Sequence, residues 1–350
     1  MYPPGQMLSP VNTGRRRPFR ALVNILTWVL TLIVLHDIFH RLGALPVYGD
    51  RASKAKIAKV TQIVGKYADD KVIMDNYAAH KVHDERFGYR RILYTTPILG
   101  GFFDRYLFLI SLMTQELIKP EGERLEWIMW HDSDIVMMNT QVPLEAYLPP
   151  QDQWSHVHLL VTNDDNGLNN GAFFIHVHPW SIKLLRDAFS IKTYEPNVDL
   201  EYSEQTALEL WLLSDTYRES IIHVPQRWFN AFTGEWDLKT AEDGTVTGIL
   251  PEKGLKSNTV RRGDLQVHFA GRLQKTEHIA RWNKMVADHK AEFEVPFEGS
   301  QLQDEIAAFW ASEATEEDLK VDVMIDAMLK RRADRKKSGV AGISSEFTIS

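Results

Sequence analysis

Two aspartates one residue apart, set inside a long apolar run, constrain this chain more than any other feature. The run is Trp127-Ile128-Met129-Trp130-His131-Asp132-Ser133-Asp134-Ile135-Val136-Met137-Met138, and no other Asp-x-Asp occurs in the chain. Apolar runs of this length read as buried strand. Two charges at the end of such a strand are costly unless something compensates them. A divalent cation is the usual compensator, because neighbouring carboxylates otherwise oppose each other's ionisation. The competing reading is a surface turn with two solvated aspartates, and the apolar flanks weigh against it.

The rest of the chain sets the context. With 350 residues, 44% hydrophobic and 25% charged, it has an ordinary globular balance and room for one large domain or two smaller ones. A net charge of -7 argues against a general nucleic-acid binder. Without cysteine there is neither a disulfide framework nor a thiolate metal site. A core of this size needs no disulfides, so an oxidising compartment stays open.

The first forty residues differ from the remainder. Gly14-Arg15-Arg16-Arg17-Pro18-Phe19-Arg20 is strongly basic, and Ala21 to Leu35 carries no charge. That stretch is short against the usual span of about 17–25 residues. Phe19, His36, Ile38 and Phe39 extend it, with Arg20 snorkelling. The expectation is an uncleaved signal anchor over 21–38, with 1–20 as a cytoplasmic tail, 39–59 as a stem and the remainder in the lumen. A cleaved signal peptide and a buried soluble helix are the competitors.

Beyond the stem, strands and helices alternate. Strands are expected at Val60–Val64, Arg91–Thr95, 125–131, His158–Thr162, Ala172–Val177, Ile221–Pro225 and Gln266–Phe269. Helices are expected at Asn76–Arg86 (a polar one), Phe102–Leu117, Trp180–Phe189 and Glu204–Leu213. This alternation predicts an α/β fold with a mostly parallel sheet. Residues 301–350 read as a charged helical extension and tail, with Arg331 to Lys337 as a solvated helix end.

Four further constellations can carry chemistry. Asn166-Gly167-Leu168-Asn169-Asn170-Gly171 opens into an apolar strand; it reads either as a turn or as amides placed to bind sugar hydroxyls. Ser203-Glu204-Gln205 precedes a helix, where a carboxylate also suits the helix dipole. Gly263 to Arg272 ends a strand in His268-Phe269-Ala270-Gly271, which makes His268 a candidate third metal ligand and puts Arg272 near any diphosphate. Two His-x-His pairs, His156/His158 and His176/His178, allow a zinc site, though no carboxylate has matching spacing.

In this order the pieces resemble glycosyltransferase family 34, the fungal galactosyl/mannosyltransferase family related to plant xyloglucan xylosyltransferases. The matching blocks are Trp127–Asn139, Asp164–Gly171, Glu204-Gln205, Val224–Ala231 and Gly263–Gly271, within roughly 60–290. The resemblance implies a GT-A type, Rossmann-like single catalytic domain over 60–300, a retaining reaction and a nucleotide-sugar donor, GDP-mannose or UDP-galactose. It implies Mn²⁺ (or Mg²⁺) held by Asp132, Asp134 and His268. Asn169, Asn170, Gly171, Gly271 and Arg272 fall in donor- and acceptor-binding positions, and Glu204 and Gln205 beside the transferred sugar. A single-pass type II protein of the Golgi membrane is also implied, with a glycan or glycoprotein acceptor and other Golgi glycosyltransferase subunits as partners. A non-catalytic or weakly active subunit of such a complex is the alternative, and an unrelated metal-dependent phosphohydrolase a third reading. Thr206 departs from the family pattern, where many members carry an acidic residue, and so does the run His176-Val177-His178-Pro179-Trp180.

Overall fold

The apolar strand carrying the aspartates sits in the middle of the principal sheet, where both of its faces are covered. The computed structural model describes residues 56–233, 239–240, 246–247, 255–312 and 330. The principal sheet uses β1 (Ile57–Gln62), β2 (Arg90–Tyr94), β3 (Trp127–His131), β5 (Leu159–Asp164), β6 (Gly167–His176) and β7 (Ile221–His223), in the order β2-β1-β3-β6-β5-β7. β1 is parallel to β2 and β3, and β5 is parallel to β7. β6 runs antiparallel to both of its neighbours, β3 and β5. The expected α/β class and parallel-rich sheet are therefore present, with one reversed strand.

That reversed strand matters for the site. Two short strands, β4 (Ile135–Met137) and β10 (Gln266–His268), pair antiparallel just beyond the end of β3. β8 (Lys239–Thr240) and β9 (Val246–Thr247) form a separate ladder. Because β6 runs against β3, its residue Gly171 lies beside Asp132, whose N–H donates to the Gly171 carbonyl at 2.7 Å.

The helices are α1 (Lys71–Ala79), α2 (Lys81–Phe87), α3 (Asp104–Leu117), α4 (Gln151–Trp154), α5 (Pro179–Phe189), α6 (Ile191–Tyr194), α7 (Glu204–Leu212), α8 (Lys275–Asp288), α9 (Lys290–Phe293) and α10 (Gln301–Ala311). α5 packs against both α3 and α7, and α7 packs on β6. Strand alternation puts Trp127 and Met129 of β3 in one core, with Tyr147, Phe174 and Trp228. A second core joins Val136, Met138 and Val267 to Ile279 and Trp282 of α8. It seats the aspartate turn and α8 together.

Three boundaries differ from the sequence expectation. β1 starts at Ile57, inside the stem expected to end at 59, because Ile57 and Ala58 pair with Trp127 and Ile128 of β3. The extension expected from 301 begins within the domain, because Leu302, Ile306 and Trp310 of α10 belong to the first core. The polar helix expected over Asn76–Arg86 is two helices, and its polar residues Asn76, His80, His83 and Asp84 are buried. The expected tail and anchor over 1–38 and the charged segment beyond 312 lie outside the described residues, apart from Lys330. Among the described residues no helix is long and apolar enough to cross a membrane.

Candidate active site

Asp132, Ser133 and Asp134 form the turn between β3 and β4. The turn lies against protein on most sides: Asp134 is 4% exposed and the Asp132 side chain 27%. His268 arrives from β10, whose pairing sets it opposite Ile135. One potential ligand atom from each of Asp132, Asp134 and His268 lies within 4.8 Å of the others. Two carboxylates and an imidazole form a donor set that suits a divalent cation.

The imidazole is oriented from behind. His268 Nδ1 lies 2.7 Å from Asn230 Oδ1, an acceptor, so Nδ1 carries the proton. Nε2 then faces Asp134 Oδ1 at 3.3 Å. This is the arrangement by which a buried partner selects the metal-binding nitrogen of a histidine. Asn230 is itself held, its Nδ2 donating to Thr162 Oγ1 at 2.8 Å and to the carbonyl and Oδ1 of Asn169, each at 3.0 Å. Asn169 donates in turn to Asp164 Oδ2 at 2.8 Å.

Gly171 has a steric reason to be glycine. A Cβ there would stand 2.1 Å from His268 Cε1 and 2.8 Å from Nδ1. The imidazole occupies the space any side chain would need. β6 begins at Gly167, so Asn169, Asn170 and Gly171 are strand residues and not the turn that the glycine-asparagine composition allowed.

A second polar group adjoins the first. Arg105, buried on α3, reaches Asp132 Oδ1 at 3.2 Å and Glu204 Oε1 at 3.6 Å, and donates to the Asn170 carbonyl at 3.0 Å. Asn170 Nδ2 donates to Glu204 Oε1 at 3.4 Å, and the Asn170 N–H donates to Gln205 Oε1 at 3.1 Å. Tyr106 OH donates to the Glu204 carbonyl at 2.7 Å. Burial pushes the Glu204 carboxyl up, and the Arg105 guanidinium opposes that push.

Glu204 enters α7 from a strained residue. Ser203 has φ 53° and ψ −124°, a region costly for any residue with a side chain. The Thr206 hydroxyl accepts from the Tyr202 N–H at 2.9 Å and closes this turn. The departure at Thr206 thus has a local structural use.

Asp134 carries an additional cation. Lys275 Nζ, at the start of α8, lies 2.6 Å from Asp134 Oδ2. Burial alone would raise the Asp134 carboxyl, but His268 and Lys275 outweigh it and hold it well below the usual carboxylate range. Arg272 is exposed and donates to Thr233 Oγ1 at 2.5 Å, and Gly271, with φ 65°, turns the chain between β10 and α8. The basic group of this segment in contact with the aspartate turn is Lys275, through Asp134.

Arg105, Tyr106, Asn230 and Lys275 escaped the sequence reading. Arg105 had a usable signal: helical spacing puts it on the buried stripe of Phe108, Leu109 and Leu112. Asn230 stands alone as an amide within Trp228-Phe229-Asn230-Ala231-Phe232. The His-x-His pairs collect elsewhere, where His158 and His178 stack at 4.1 Å with planes 16° apart. Near-parallel rings do not aim their nitrogens at one point. Asp132, Asp134 and His268 are the convergent group among the described residues.

The chain is similar to a crystal structure of a glycosyltransferase involved in the glycosylation of the major capsid of PBCV-1, at 13% identity and TM-score 0.45, over 63% of this chain and 98% of that one. It is also similar to the glycosyltransferase GlyE of Streptococcus pneumoniae TIGR4, at 15% identity and TM-score 0.34, over 50% of this chain and 46% of that one. No curated protein sequence matches the chain. Residues 149–278, which hold Asn169, Asn170, Gly171, Glu204, Asn230, His268 and Lys275, are similar to the galactosyl transferase GMA12/MNN10 family.

Proposed function

We propose that this protein is a metal-dependent, retaining hexosyltransferase that moves mannose or galactose from GDP-mannose or UDP-galactose to a glycan acceptor. The observation that carries the proposal is the convergence of Asp132, Asp134 and His268, the last of them within the segment 149–278 that is similar to a galactosyl transferase family. Those three residues would hold Mn²⁺ or Mg²⁺, and such an ion supplies Lewis-acid neutralisation of a diphosphate leaving group. Lys275 and Arg272 add positive charge for the phosphate oxygens.

Glu204 and Gln205 serve the sugar. A carboxylate in a site closed to water stabilises positive charge developing at the anomeric carbon. Arg105 opposes the effect of burial on Glu204 and favours its charged form, and Asn170 donates to the carboxylate oxygen. In the front-face route the bond from the anomeric carbon to the phosphate oxygen breaks. The acceptor oxygen bonds to that carbon on the same face, and its proton passes to the departing phosphate oxygen. Glu204 then forms no covalent bond to sugar; trapping a glycosyl ester on Glu204 would overturn this route.

The Golgi membrane reading rests on the basic 14–20 and uncharged 21–35 segments, and protease protection of a C-terminal tag in sealed vesicles tests it. The activity test uses the purified full-length chain with Mn²⁺, a panel of nucleotide sugars, an α-mannoside acceptor and water, with and without chelator. Chelator-sensitive nucleotide release from one donor establishes the transferase and names its sugar. A folded protein that binds Mn²⁺ yet releases nothing from any donor supports the non-catalytic subunit instead.

A further inference from the structure

Behind the aspartate turn lies a buried polar assembly that the proposed chemistry does not use. Its outermost part is Lys59, a lysine in the middle of β1 and only 2% exposed. An ammonium has three protons to donate. Lys59 Nζ has three partners: Asp84 Oδ1 at 2.8 Å, His80 Nδ1 at 3.2 Å and His83 Nδ1 at 3.5 Å. Arg91 pairs with the other Asp84 oxygen at 2.9 Å. With Nδ1 accepting from Lys59, each imidazole carries its proton on Nε2. His83 Nε2 donates to the Val142 carbonyl at 2.8 Å, and His80 Nε2 to the Ile135 carbonyl at 3.0 Å.

The second arm is Asn76 on α1. Its Nδ2 donates to two carbonyls, Ser133 at 3.0 Å and Ile135 at 2.8 Å. These are the carbonyls on either side of Asp134. Its Oδ1 accepts from Asn283 Nδ2 of α8 at 3.1 Å. Asn76 therefore ties together α1, the aspartate turn and the helix whose first residue, Lys275, contacts Asp134 Oδ2. Asp134 is gripped on both sides: His268 and Lys275 hold its carboxylate, while Asn76 and His80 hold its backbone.

We propose that Asn76 and His80 are positioning residues for the metal-binding turn, clamping the Ser133 and Ile135 carbonyls so that the Asp134 carboxylate is fixed towards His268 before any cation arrives. Neither residue touches the ligand atoms, and both act through the backbone that carries them. The clamp explains why buried polar groups are concentrated on one side of a turn whose other side already has its ionic partners. A fixed turn removes the entropy cost of ordering ligands on binding, and outer partners of metal ligands typically carry about 10–100-fold in metal affinity.

The proposal rests on the cation-binding reading of Asp132, Asp134 and His268, and the test separates the two. Mn²⁺ alone is titrated into the full-length chain, and the free-ion signal is followed by electron paramagnetic resonance. Asn76→Ala and His80→Gln should each weaken Mn²⁺ binding, by roughly 10-fold or more for Asn76. Asn283→Ala leaves both carbonyl clamps in place and should change it by less than about 3-fold. Ile73→Val, in the same helix and in the core beneath β4 but with no side-chain hydrogen bond to the turn, calibrates what a small loss of stability does by itself. Asn76→Ala that melts earlier, as Ile73→Val does, but binds Mn²⁺ like the wild type would overturn the clamp. If Asn76→Ala does not fold, His80→Gln decides the matter through the same Ile135 carbonyl. Asp134→Ala that binds Mn²⁺ as well as the wild type removes the cation site itself, and the clamp with it.

Discussion

The two ends of β3 and β6 both gather histidines, and the Asp132 end differs in aiming one of them, His268, at a carboxylate. At the Asp132 end, His268 is turned by Asn230 so that one nitrogen faces a carboxylate. At the Trp127 end, which pairs with His176, the rings lie on each other: His158 on His178, and Trp127 on His176 at 4.9 Å. His158 and His176 spend their facing Nδ1 atoms on each other at 3.0 Å. The same residue type is a ligand candidate at one end and packing material at the other. What separates them is the partner: an amide and a carboxylate orient His268, while His158 and His176 face other rings.

That contrast can be broken at the first end. Asp134→Ala should lose metal-dependent transfer by several kcal/mol of transition-state stabilisation, on the order of 10³-fold. A nucleotide-release assay with retained activity would remove the site assignment. Gly171→Ala should come next, because its Cβ meets His268 Cε1 at 2.1 Å. Overpacking of this kind costs about 1–3 kcal/mol in stability. Mn²⁺ affinity should fall with it, and a crystal structure of the variant should show the imidazole displaced. Glu204→Gln keeps shape and removes charge; a loss in kcat of roughly 10²-fold is expected with little change in Mn²⁺ binding.

The second end should respond to acid instead. Burial, reinforced by the neighbouring imidazoles, lowers His158 and His176 to about 4 each, with Arg124 also acting on His176. The unfolded chain takes up these protons near 6.5, and the folded chain only near 4. Their stabilisation is whole above about 6.5 and is lost as pH falls towards 4. Both rings are partly exposed, so the effect is a modest one. Melting curves from about pH 7 to about pH 4.5 should show the decline, flattened by replacing both histidines with asparagine. The smallest expected effect is on Mn²⁺ affinity, which the same double variant should leave within about 2-fold because no ligand atom is touched. A large change there would erase the distinction between the two ends.

The elements of the fold were largely legible from the residues. Continuous apolar runs bounded by polar segments located β3, β5 and β6 to within a few residues, because burial on both faces demands that composition. The ends were less so: β6 starts at Gly167 because ladder partners on β5, which a turn-like composition cannot reveal, carry it past Asn169. The site was legible as a set of candidates. Asp132, Asp134 and His268 could be named, since charge inside apolar sequence is anomalous on its face. Their orientation could not be, because Arg105, Asn230 and Lys275 come from three other, widely separated segments of the chain. Lys59 shows the same limit, since a lone lysine in a strand reads as an edge until His80, His83 and Asp84 are folded over it.

The chain by itself determined an α/β alternation, a carboxylate pair too apolar in its flanks to be an ordinary surface turn, and the resemblance to a glycosyltransferase family. Hydrophobic periodicity and the cost of buried charge act locally, so they are written in neighbouring residues. Only the tertiary structure decided that β6 runs backwards to bring Gly171 under His268, that Asn76 and His80 grip the aspartate turn from behind, and that His268 meets the aspartates while His158, His176 and His178 stack on one another. Those outcomes depend on contacts between residues tens to hundreds of positions apart, and such contacts exist only once the core has closed.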